Sequence, residues 1–503
     1  MLEEHTGDEA ATAVAVNDEL LTLTEALEFL GISRPTMYRL LDRGEVKGLK
    51  VGSQWRFRQA DLAAYLERGP VAMALGGIPA DVLAAELDYL SGELGGFEDT
   101  LPEAPAELTD AGEREVFRCV AGLLRLAAHR RASDMHLEPG ADAVHVRFRV
   151  DGVLYPIHDL PKSLHAALVL RIKAMANMDP VERRLPQDGR FTLAAGAEHF
   201  NVLASCMPTV FGEALTLKLL ISSEALIGLT RLHLCPDDLA KLQRWLARPF
   251  GLVLAAGPSG CGKTTTLYSC LHALNRPHVK IMTVEDPVEY LLPGTVQIAT
   301  NQATGLTFST VLRTILRQDP DILLVGEIRD VESIIACASA ALTGHLVFTA
   351  LHTEDAAGSL RRMLDVGVAP FLVTSTVAGV IAQRLVRKLC DACKQPADLA
   401  STERAHLRQL AAAGGGDLPD DAVFYRPAGC AQCAHTGYYG RLALFELLEL
   451  THPIKEALMR NAPHQELLTL AIQDGMHTLA ADGLRKAAAG LTSVEEVLSQ
   501  VGV

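Results

Sequence analysis

Gly257-Pro258-Ser259-Gly260-Cys261-Gly262-Lys263-Thr264 fits the pattern G-x-x-x-x-G-K-[ST]. It follows an apolar run, Leu252-Val253-Leu254-Ala255-Ala256, that reads as a buried strand. It opens a segment with helical patterning, Thr265 to Leu274. Strand, glycine-rich loop and helix in that order are the context this motif requires. The glycines let successive backbone N–H groups turn inward on a phosphate, and the helix N-terminus adds positive dipole. In such a loop Lys263 reaches the β- and γ-phosphates, the Thr264 hydroxyl takes Mg²⁺, and Thr265 continues the cradle. A chance glycine-rich turn has no reason to carry both flanks, so the expectation is a nucleotide site for ATP and Mg²⁺.

Length and composition set the frame around that loop. At 503 residues the chain has room for roughly three or four domains of about 100–200 residues. A hydrophobic content of 49% supplies packed cores, and 21% charged residues argues against a wholly disordered chain. The net charge of −15 excludes a molecule that binds nucleic acid over its whole surface, so any DNA contact must be local. Met1 to Glu19 is acidic where a signal peptide has a basic region. The longest apolar run, around Pro370 to Ala382, is too short and too rich in Ser and Thr to span a bilayer. The expected location is the cytoplasm.

Along the chain, 1–19 reads as disordered and 20–68 as a compact unit. Within that unit lie a short helix at Thr24–Leu30, a turn at Gly31-Ile32 and a second helix from Ser33 to Asp42. A hairpin at Gly44–Phe57 and a third helix at Arg58–Leu66 complete it. Residues 69–111 read as a linker rich in Gly, Pro, Ala and acids, with an amphipathic helix at Ala80–Leu90. From 112 to 225 helix and strand patterns alternate, including the period-2 strand Val144–Val150. From 226 to 389, buried strands and amphipathic helices give the α/β pattern of a parallel sheet. Cysteine pairs mark 390–440, and 441–503 reads as helical, including Phe445 onward.

Three further segments bear on the phosphate loop. Ile281-Met282-Thr283-Val284-Glu285-Asp286-Pro287-Val288-Glu289 ends an apolar strand in acids. Asp321 to Asp330 is a second buried strand ending at Glu327. Gly344-His345 to His352-Thr353 brackets a third strand with histidines. Ligands of parallel α/β sheets sit at the carboxyl ends of the strands, so these groups are expected to converge near the γ-phosphate. Singly, each acid or histidine reads equally well as a surface or capping residue.

With these segments in place, the sequence resembles the traffic ATPases of type II secretion and type IV pilus assembly over roughly Arg131 to Gly490. The resemblance rests on Ala132-Ser133-Asp134-Met135-His136-Leu137-Glu138-Pro139, Val146 to Gly152, Arg184-Leu185-Pro186-Gln187-Asp188-Gly189-Arg190 and the phosphate loop. It continues through Glu285-Asp286-Pro287-Val288-Glu289, Arg317-Gln318-Asp319-Pro320-Asp321, Gly326-Glu327-Ile328-Arg329-Asp330 and Thr343-Gly344-His345 to His352-Thr353. It implies a RecA-like P-loop core preceded by a PAS-like α/β domain, with a zinc-knuckle insertion and a helical C-terminus. It implies a hexameric ring whose ATP hydrolysis turns an inner-membrane platform protein, the motor being held at the membrane through partners. By the same resemblance Glu285 is the acid that activates or orients water, and Glu327 acts on Mg²⁺ and water. His352 is the γ-phosphate sensor, with His345 beside it.

The chain departs from that family where arginines reach a neighbouring nucleotide. The corresponding segments are Asn201 to Pro208 and Gly212 to Leu220, and the expected arginines become Leu203, Ala214 and Lys218. Lysine keeps a charge but not the planar bidentate contact. An arginine finger is worth about 10³–10⁵ in rate in related NTPases. The departure implies slow hydrolysis, a regulatory role, or rescue by another arginine such as Arg190.

Ten cysteines in such a chain read as thiols or metal ligands before disulfides. Cys390-x-x-Cys393 and Cys430-x-x-Cys433 form two knuckles that can hold structural Zn²⁺, the alternatives being coincidence or a redox pair. The resemblance favours zinc, because assembly-type members carry such an insertion. At the front, 20–68 resembles the small winged helix-turn-helix of the excisionase/MerR-like group, with eight basic residues against six acidic over Leu20–Arg68. Arg34, Thr36, Tyr38 and Arg39 on the second helix, with Lys50 and Arg56 on the wing, are candidate DNA contacts. A protein-docking role for the same module stays open. Two readings follow: a secretion or pilus motor, and a nucleotide-sensing DNA-binding regulator with slow or lost turnover. A DNA or conjugation motor is disfavoured by the cysteine insertion.

Overall fold

A computed structural model describes residues 20–502 except 31–33, 43–45, 52–53, 60, 63–79, 94–103, 105–107, 109, 196–197, 222–226, 302–303 and 329. The segment 1–19, Ser33 at the start of the second expected helix and most of the third helix expected at 58–66 lie outside the described residues. The chain divides into two compact units, Met1–Leu220 and Ile221–Val503.

In the first unit, β1 (Leu20–Thr22) leads into α1 (Leu23–Leu30), followed by α2 (Arg34–Asp42), β2 (Gly48–Val51) and β3 (Gln54–Arg58). Thr22 and Glu25 form a reciprocal cap. The Thr22 N–H donates to Glu25 Oε2 at 2.7 Å, and the Glu25 N–H donates to Thr22 Oγ1 at 3.3 Å. The three strands make an antiparallel sheet in the order β1-β3-β2. Ala26, Met37, Leu40, Val46, Phe57 and Leu62 form its buried core, with Trp55 packed against it.

The amphipathic helix expected at Ala80–Leu90 forms as α3 (Ala80–Glu93) and packs on α4 (Ala111–His129). Leu83 and Leu90 are buried on one face. On the same face Glu86 bonds His158 at 2.7 Å, and the Tyr89 ring stacks on that imidazole at 4.0 Å. This part of the stretch read as a linker is therefore docked structure. A six-stranded sheet follows, from β4 (Ala132–Pro139), β5 (Ala143–Val150), β6 (Val153–Pro161), β7 (Gln187–Ala195), β8 (Glu198–Thr209) and β9 (Gly212–Ile221). Its order is β6-β5-β4-β9-β8-β7, and α5 (His165–Met175) lies between β6 and β7 in the chain.

The second unit begins with α6 (Pro236–Leu246), β10 (Gly251–Ala256) and α7 (Lys263–Leu274). Next come β11 (Ile281–Glu285), β12 (Val296–Ala299), α8 (Phe308–Ile315), β13 (Ile322–Val325), α9 (Val331–Leu342) and β14 (Leu346–Leu351). α10 (Ala356–Asp365), α11 (Pro370–Thr376) and β15 (Val377–Leu389) complete the central region. The short pair β16 (Gln395–Pro396) and β17 (Tyr425–Arg426) brackets α12 (Ser401–Ala413). β18 (Tyr438–Glu449) precedes α13 (His452–Met459), α14 (His464–Gln473), α15 (Leu479–Ala488) and α16 (Val494–Val501).

The main sheet has the order β12-β11-β13-β14-β10-β15-β18. All its pairs are parallel except β15 with β18. Along β10, Leu252, Leu254 and Ala256 enter one apolar cluster while Val253 and Ala255 enter another. A strand covered on both faces has no polar alternation, which is why the run before the phosphate loop is continuously apolar. Gly379 on β15 is required by packing: a Cβ there would lie 2.3 Å from the buried Trp245 ring.

The C-terminal region corrects one expectation. Phe445 to Glu449, read as helical, lies in β18, which pairs with β15 from Gly379↔Glu449 to Leu389↔Tyr438. Its Leu- and Glu-rich composition favours helix, but burial against the exposed edge of β15 overrides that local preference. The cysteine insertion is also no appendage, because Leu407 and Ala411 of α12 share a buried cluster with Leu479, Leu484 and Val497.

Candidate nucleotide site

Sheet order assembles the site. The phosphate loop follows β10 and Glu327 follows β13 by two residues. β14 lies between those strands and delivers His352 between them. His352 Nε2 pairs with Glu327 Oε2 at 2.9 Å. Glu285 ends β11, the neighbour of β13, and the Gly326 N–H donates to the Val284 carbonyl at 2.8 Å. A cleft is lined by Thr264, Glu285, Asp286, Glu289 and Glu327 among others. A hydroxyl among carboxylates is the hard-oxygen set that suits Mg²⁺.

Within the loop, Gly257, Gly260 and Gly262 all have positive φ. At Gly257 (φ 146°) a Cβ would also meet the Cys261 Sγ at 2.5 Å. α7 starts at Lys263 and carries Thr264 and Thr265 in its first turn, so their N–H groups are among those the helix leaves unpaired. Lys263 Nζ donates to the Gly257 and Pro258 carbonyls at 2.7 and 2.9 Å. Burial pulls its pKa below the usual lysine range, and the nearby Arg384 adds to that. Ser259 and Gly260 are exposed at the loop's crown.

Glu285 is buried, and its carboxylate sits in a cradle that sequence reasoning did not find. Thr283 Oγ1 donates to Oε1 at 2.5 Å, Gln297 Nε2 donates to Oε1 at 3.3 Å, and the Tyr268 hydroxyl donates to Oε2. Burial, and then the Glu285 charge, push the Tyr268 phenol above its ordinary range. Two signals for the cradle lay in the sequence: Tyr268 follows Thr264 by one helical turn on α7, and Thr283 precedes Glu285 by two residues on β11 and so shares its face.

His345 does not join this group. It precedes β14, and its Nδ1 bonds the Ala340 carbonyl at the end of α9, at 2.9 Å. The strand between it and His352 separates the two by roughly 20 Å at about 3.3 Å per residue. The expectation that both histidines converge is corrected, because they flank opposite ends of one strand.

Arg190 is exposed on β7, directly opposite Leu203 on β8. Ala214 and Lys218 lie on β9. In the helix-turn-helix, Arg34 and Tyr38 are exposed. Lys50 Nζ stands 5.9 Å over the Trp55 ring, and half-buried Arg56 donates to the Trp55 carbonyl at 3.3 Å. The side chains of Thr36 and Arg39 lie outside the described residues.

The four insertion cysteines converge. Sγ–Sγ distances are 3.9 Å for Cys390–Cys430, 3.8 Å for Cys393–Cys433 and 3.8 Å for Cys430–Cys433. A tetrahedron with Zn–S bonds of about 2.3 Å has edges of about 3.8 Å, so this cluster fits the ion. N–H groups of Cys430 and Gly437 donate to Cys433 Sγ at 3.2 Å each. Although burial raises the Cys433 pKa, these donors and the neighbouring thiols bring it down to about 6. That favours the thiolate a metal needs. Cys235, Asp238 and His477 also cluster, but Lys241 Nζ already places a cation 3.3 Å from Asp238 Oδ1.

Comparison with known proteins agrees with this geometry. A family model described as type II/IV secretion system protein matches residues 109–499, and one described as helix-turn-helix domain matches 20–70. The type II secretion system protein E of Xanthomonas campestris pv. campestris is 44% identical over 391 residues, covering 77% of this chain and 68% of that one. The type IV pilus assembly ATPase PilB of Myxococcus xanthus is 39% identical over 457 residues, covering 89% and 77%. The solved structure of the Legionella pneumophila ATPase DotB superimposes with a TM-score of 0.55 at 21% identity, covering 79% of this chain and 97% of that one, a likeness of fold. The chain belongs to the type II/IV secretion system protein family, with the RecA-like P-loop fold of its ATPases.

Proposed function

We propose that this protein is the ATP-hydrolysing motor subunit of a type II secretion or type IV pilus assembly system. The observation that carries the reading is the Glu327–His352 pair, set at the ends of adjacent parallel strands beside the strand that leads into the phosphate loop. Lys263 and the loop N–H groups bind the β- and γ-phosphates, and Thr264 with Glu327 holds Mg²⁺. Glu285 orients the water and His352 reports on the γ-phosphate. Phosphoryl transfer needs mainly such positioning and charge neutralisation. Mg²⁺, when bound there, would supply charge neutralisation to the phosphates. The four cysteines would hold a structural Zn²⁺ as thiolates and take no part in hydrolysis. The active form is a homohexamer that works on an inner-membrane platform protein, from the cytoplasmic side of the membrane. Among the described residues no helix is long and apolar enough to cross a membrane.

Arg190 supplies the arginine that Leu203 lacks. Directly opposed residues of an antiparallel pair present their side chains on one face of the sheet, so Arg190 sets a guanidinium on the face that Leu203 occupies. Steady-state hydrolysis by the full chain, against Lys263→Ala and Glu327→Gln, tests the motor reading. Turnover no higher than that of Lys263→Ala would sink it.

A second reading turns on the helix-turn-helix of the first unit. The folded helix-turn-helix exposes Arg34, Tyr38, Lys47 and Lys50, which supports DNA binding and a nucleotide-sensing regulator. Anisotropy with a labelled duplex at 50 and 200 mM salt tests it. A site with six to eight phosphate contacts loses about 10³–10⁵ in affinity across that range, and no binding at the lower salt ends the reading.

A further inference from the structure

We propose that Gln383 and Arg384, adjacent on β15, are positioning residues. Gln383 holds the phosphate loop in its binding shape, and Arg384 ties that loop to the segment after His352. The assignment rests on the nucleotide-site reading above and goes beyond it, because neither residue belongs to a motif of the loop, the acids or the histidines.

β15 runs parallel beside β10, with Ala255↔Ile381 and Ala256↔Ala382 in register. The next step along both strands brings Gln383 level with Gly257, the first residue of the loop. Val377 to Ala382 is wholly buried and apolar, and Gln383 follows at 1% exposure. A buried carboxamide is costly unless it is bonded, and the two ends of this one are bonded to the nucleotide loop and to the helix that follows it. Nε2 donates to the Cys261 carbonyl at 2.6 Å, and Oε1 accepts from Thr266 Oγ1 at 2.8 Å. The amide therefore bridges the stretch Gly262-Lys263-Thr264-Thr265 from one side, leaving its N–H groups to the other. It also fills the space a side chain at position 262 would need: a Cβ on Gly262 (φ 90°) would lie 2.6 Å from Nε2.

Arg384 extends the link. Its Nη1 donates to the Gln383 carbonyl at 3.0 Å, and its Nη2 donates to the Glu354 carbonyl at 2.7 Å. Glu354 lies two residues after His352, whose imidazole holds Glu327. A Cβ on Gly257 would meet Nη1 at 3.3 Å, so the guanidinium lies beside the start of the loop. One planar fork thus joins β15, the strand beside the one that leads into the phosphate loop, to the backbone that follows His352. The two residues should separate kinetically, Gln383 acting on nucleotide affinity and Arg384 on turnover.

The test uses the full chain, a fluorescent ADP analogue with Mg²⁺, steady-state hydrolysis and a melting curve. Gln383→Met, close in shape but without the amide, should weaken ADP binding about tenfold, the scale of a lost buried hydrogen bond. Thr266→Val should weaken it in the same direction, and the double variant should be less than additive because both remove one network. Arg384→Ala should lower kcat at least tenfold with KM within about threefold. Arg384→Lys should recover only part, because an ammonium lacks the planar fork. ADP affinity within twofold of wild type in both Gln383→Met and Thr266→Val, with unchanged melting, would overturn the assignment of Gln383. If Gln383→Met does not fold, Thr266→Val decides by itself. Wild-type kcat in Arg384→Ala would overturn the second half. A wild-type chain that binds ADP no better than Lys263→Ala would overturn the nucleotide site itself and this assignment with it. Normal wild-type binding alongside unaffected variants would overturn this assignment alone.

Discussion

Tyr268→Phe isolates the cradle around Glu285. The substitution removes one oxygen from a fully buried ring and leaves its packing in the cluster of Leu267, Leu271, Ile281 and Leu324 intact. Glu285 Oε2 loses its hydroxyl donor, while Oε1 keeps Thr283 and Gln297. A hydrogen bond to a charged group contributes about 1.5–3 kcal/mol, and its buried acceptor is not resolvated in the variant. If that bond holds the carboxylate where it meets water, the loss appears in the transition state and lowers kcat roughly 10- to 150-fold. KM for ATP should change little, because Tyr268 touches none of the phosphate-binding groups. Thr283→Val should act in the same direction through Oε1. The assay is steady-state ATP hydrolysis by Tyr268→Phe, Thr283→Val and Glu285→Gln, with melting curves to exclude unfolding. If Glu285→Gln abolishes turnover while Tyr268→Phe and Thr283→Val stay within twofold of wild type, the cradle does not position the acid. If Glu285→Gln itself turns over normally, Glu285 is not the residue that orients water.

His352→Ala should cut turnover at least tenfold through loss of the partner of Glu327, whereas His345→Ala should stay within about threefold because His345 caps α9 at the far end of β14; parallel rate measurements decide. Stripping metal with a strong chelator should release about one zinc per chain, counted by a colorimetric dye, and lower the melting temperature while ADP binding by the refilled protein returns; zero released zinc contradicts the assignment. Burial pushes the Glu446 carboxyl from an ordinary 4.5 up to about 7, so the folded chain holds that proton more tightly than the unfolded one. Stability from this group is full below about pH 4.5 and falls as pH rises to 7, by about 3 kcal/mol, and the gap in melting between wild type and Glu446→Gln should move against wild type over that window. Gly379→Ala drives a methyl into the Trp245 ring at 2.3 Å and should cost about 1–3 kcal/mol by overpacking, seen as a lowered melting temperature.

Much of the α/β architecture was legible because burial on both faces writes itself as continuous apolar runs. β10, β13 and β14 are all such runs, and the residues that bear on chemistry follow their carboxyl ends. Linear order then placed Lys263, Glu327 and His352 at the carboxyl edge without any knowledge of which strand neighbours which. The method failed where a residue's position depends on the end of the strand it occupies. Gly344-His345 and His352-Thr353 look alike as flanking pairs, yet only the second lies at the carboxyl edge. It failed again at Phe445 to Glu449, where local composition favours helix and only the open edge of β15 makes a strand. The partners of Glu285 were out of reach for a third reason. Tyr268 and Gln297 come from other elements than the strand of Glu285, and a common hydroxyl or amide carries no mark of its target until the elements are packed.

The arginine positions show the same limit with a consequence for rate. In one dimension Leu203, Ala214 and Lys218 read as three losses, which argues for slow hydrolysis. Pairing between strands changes what one of those losses means, because Arg190 stands directly across from Leu203 on an adjacent strand. A substitution that removes charge from one strand can be offset by a charge on the next, at nearly the same point on the sheet face and with a different reach. Lys218 is opposite Asp134 in register and exposed, so its ammonium has an acidic cross-strand neighbour that an anionic nucleotide would have to outcompete. Position 203 therefore has an arginine across the strand pair, whereas position 218 faces an acid. Hydrolysis that collapses in Arg190→Ala but returns in the double variant Arg190→Ala, Leu203→Arg would show that the guanidinium was moved between strands rather than lost. A double variant as slow as Arg190→Ala would show that the face itself is not where the charge is needed.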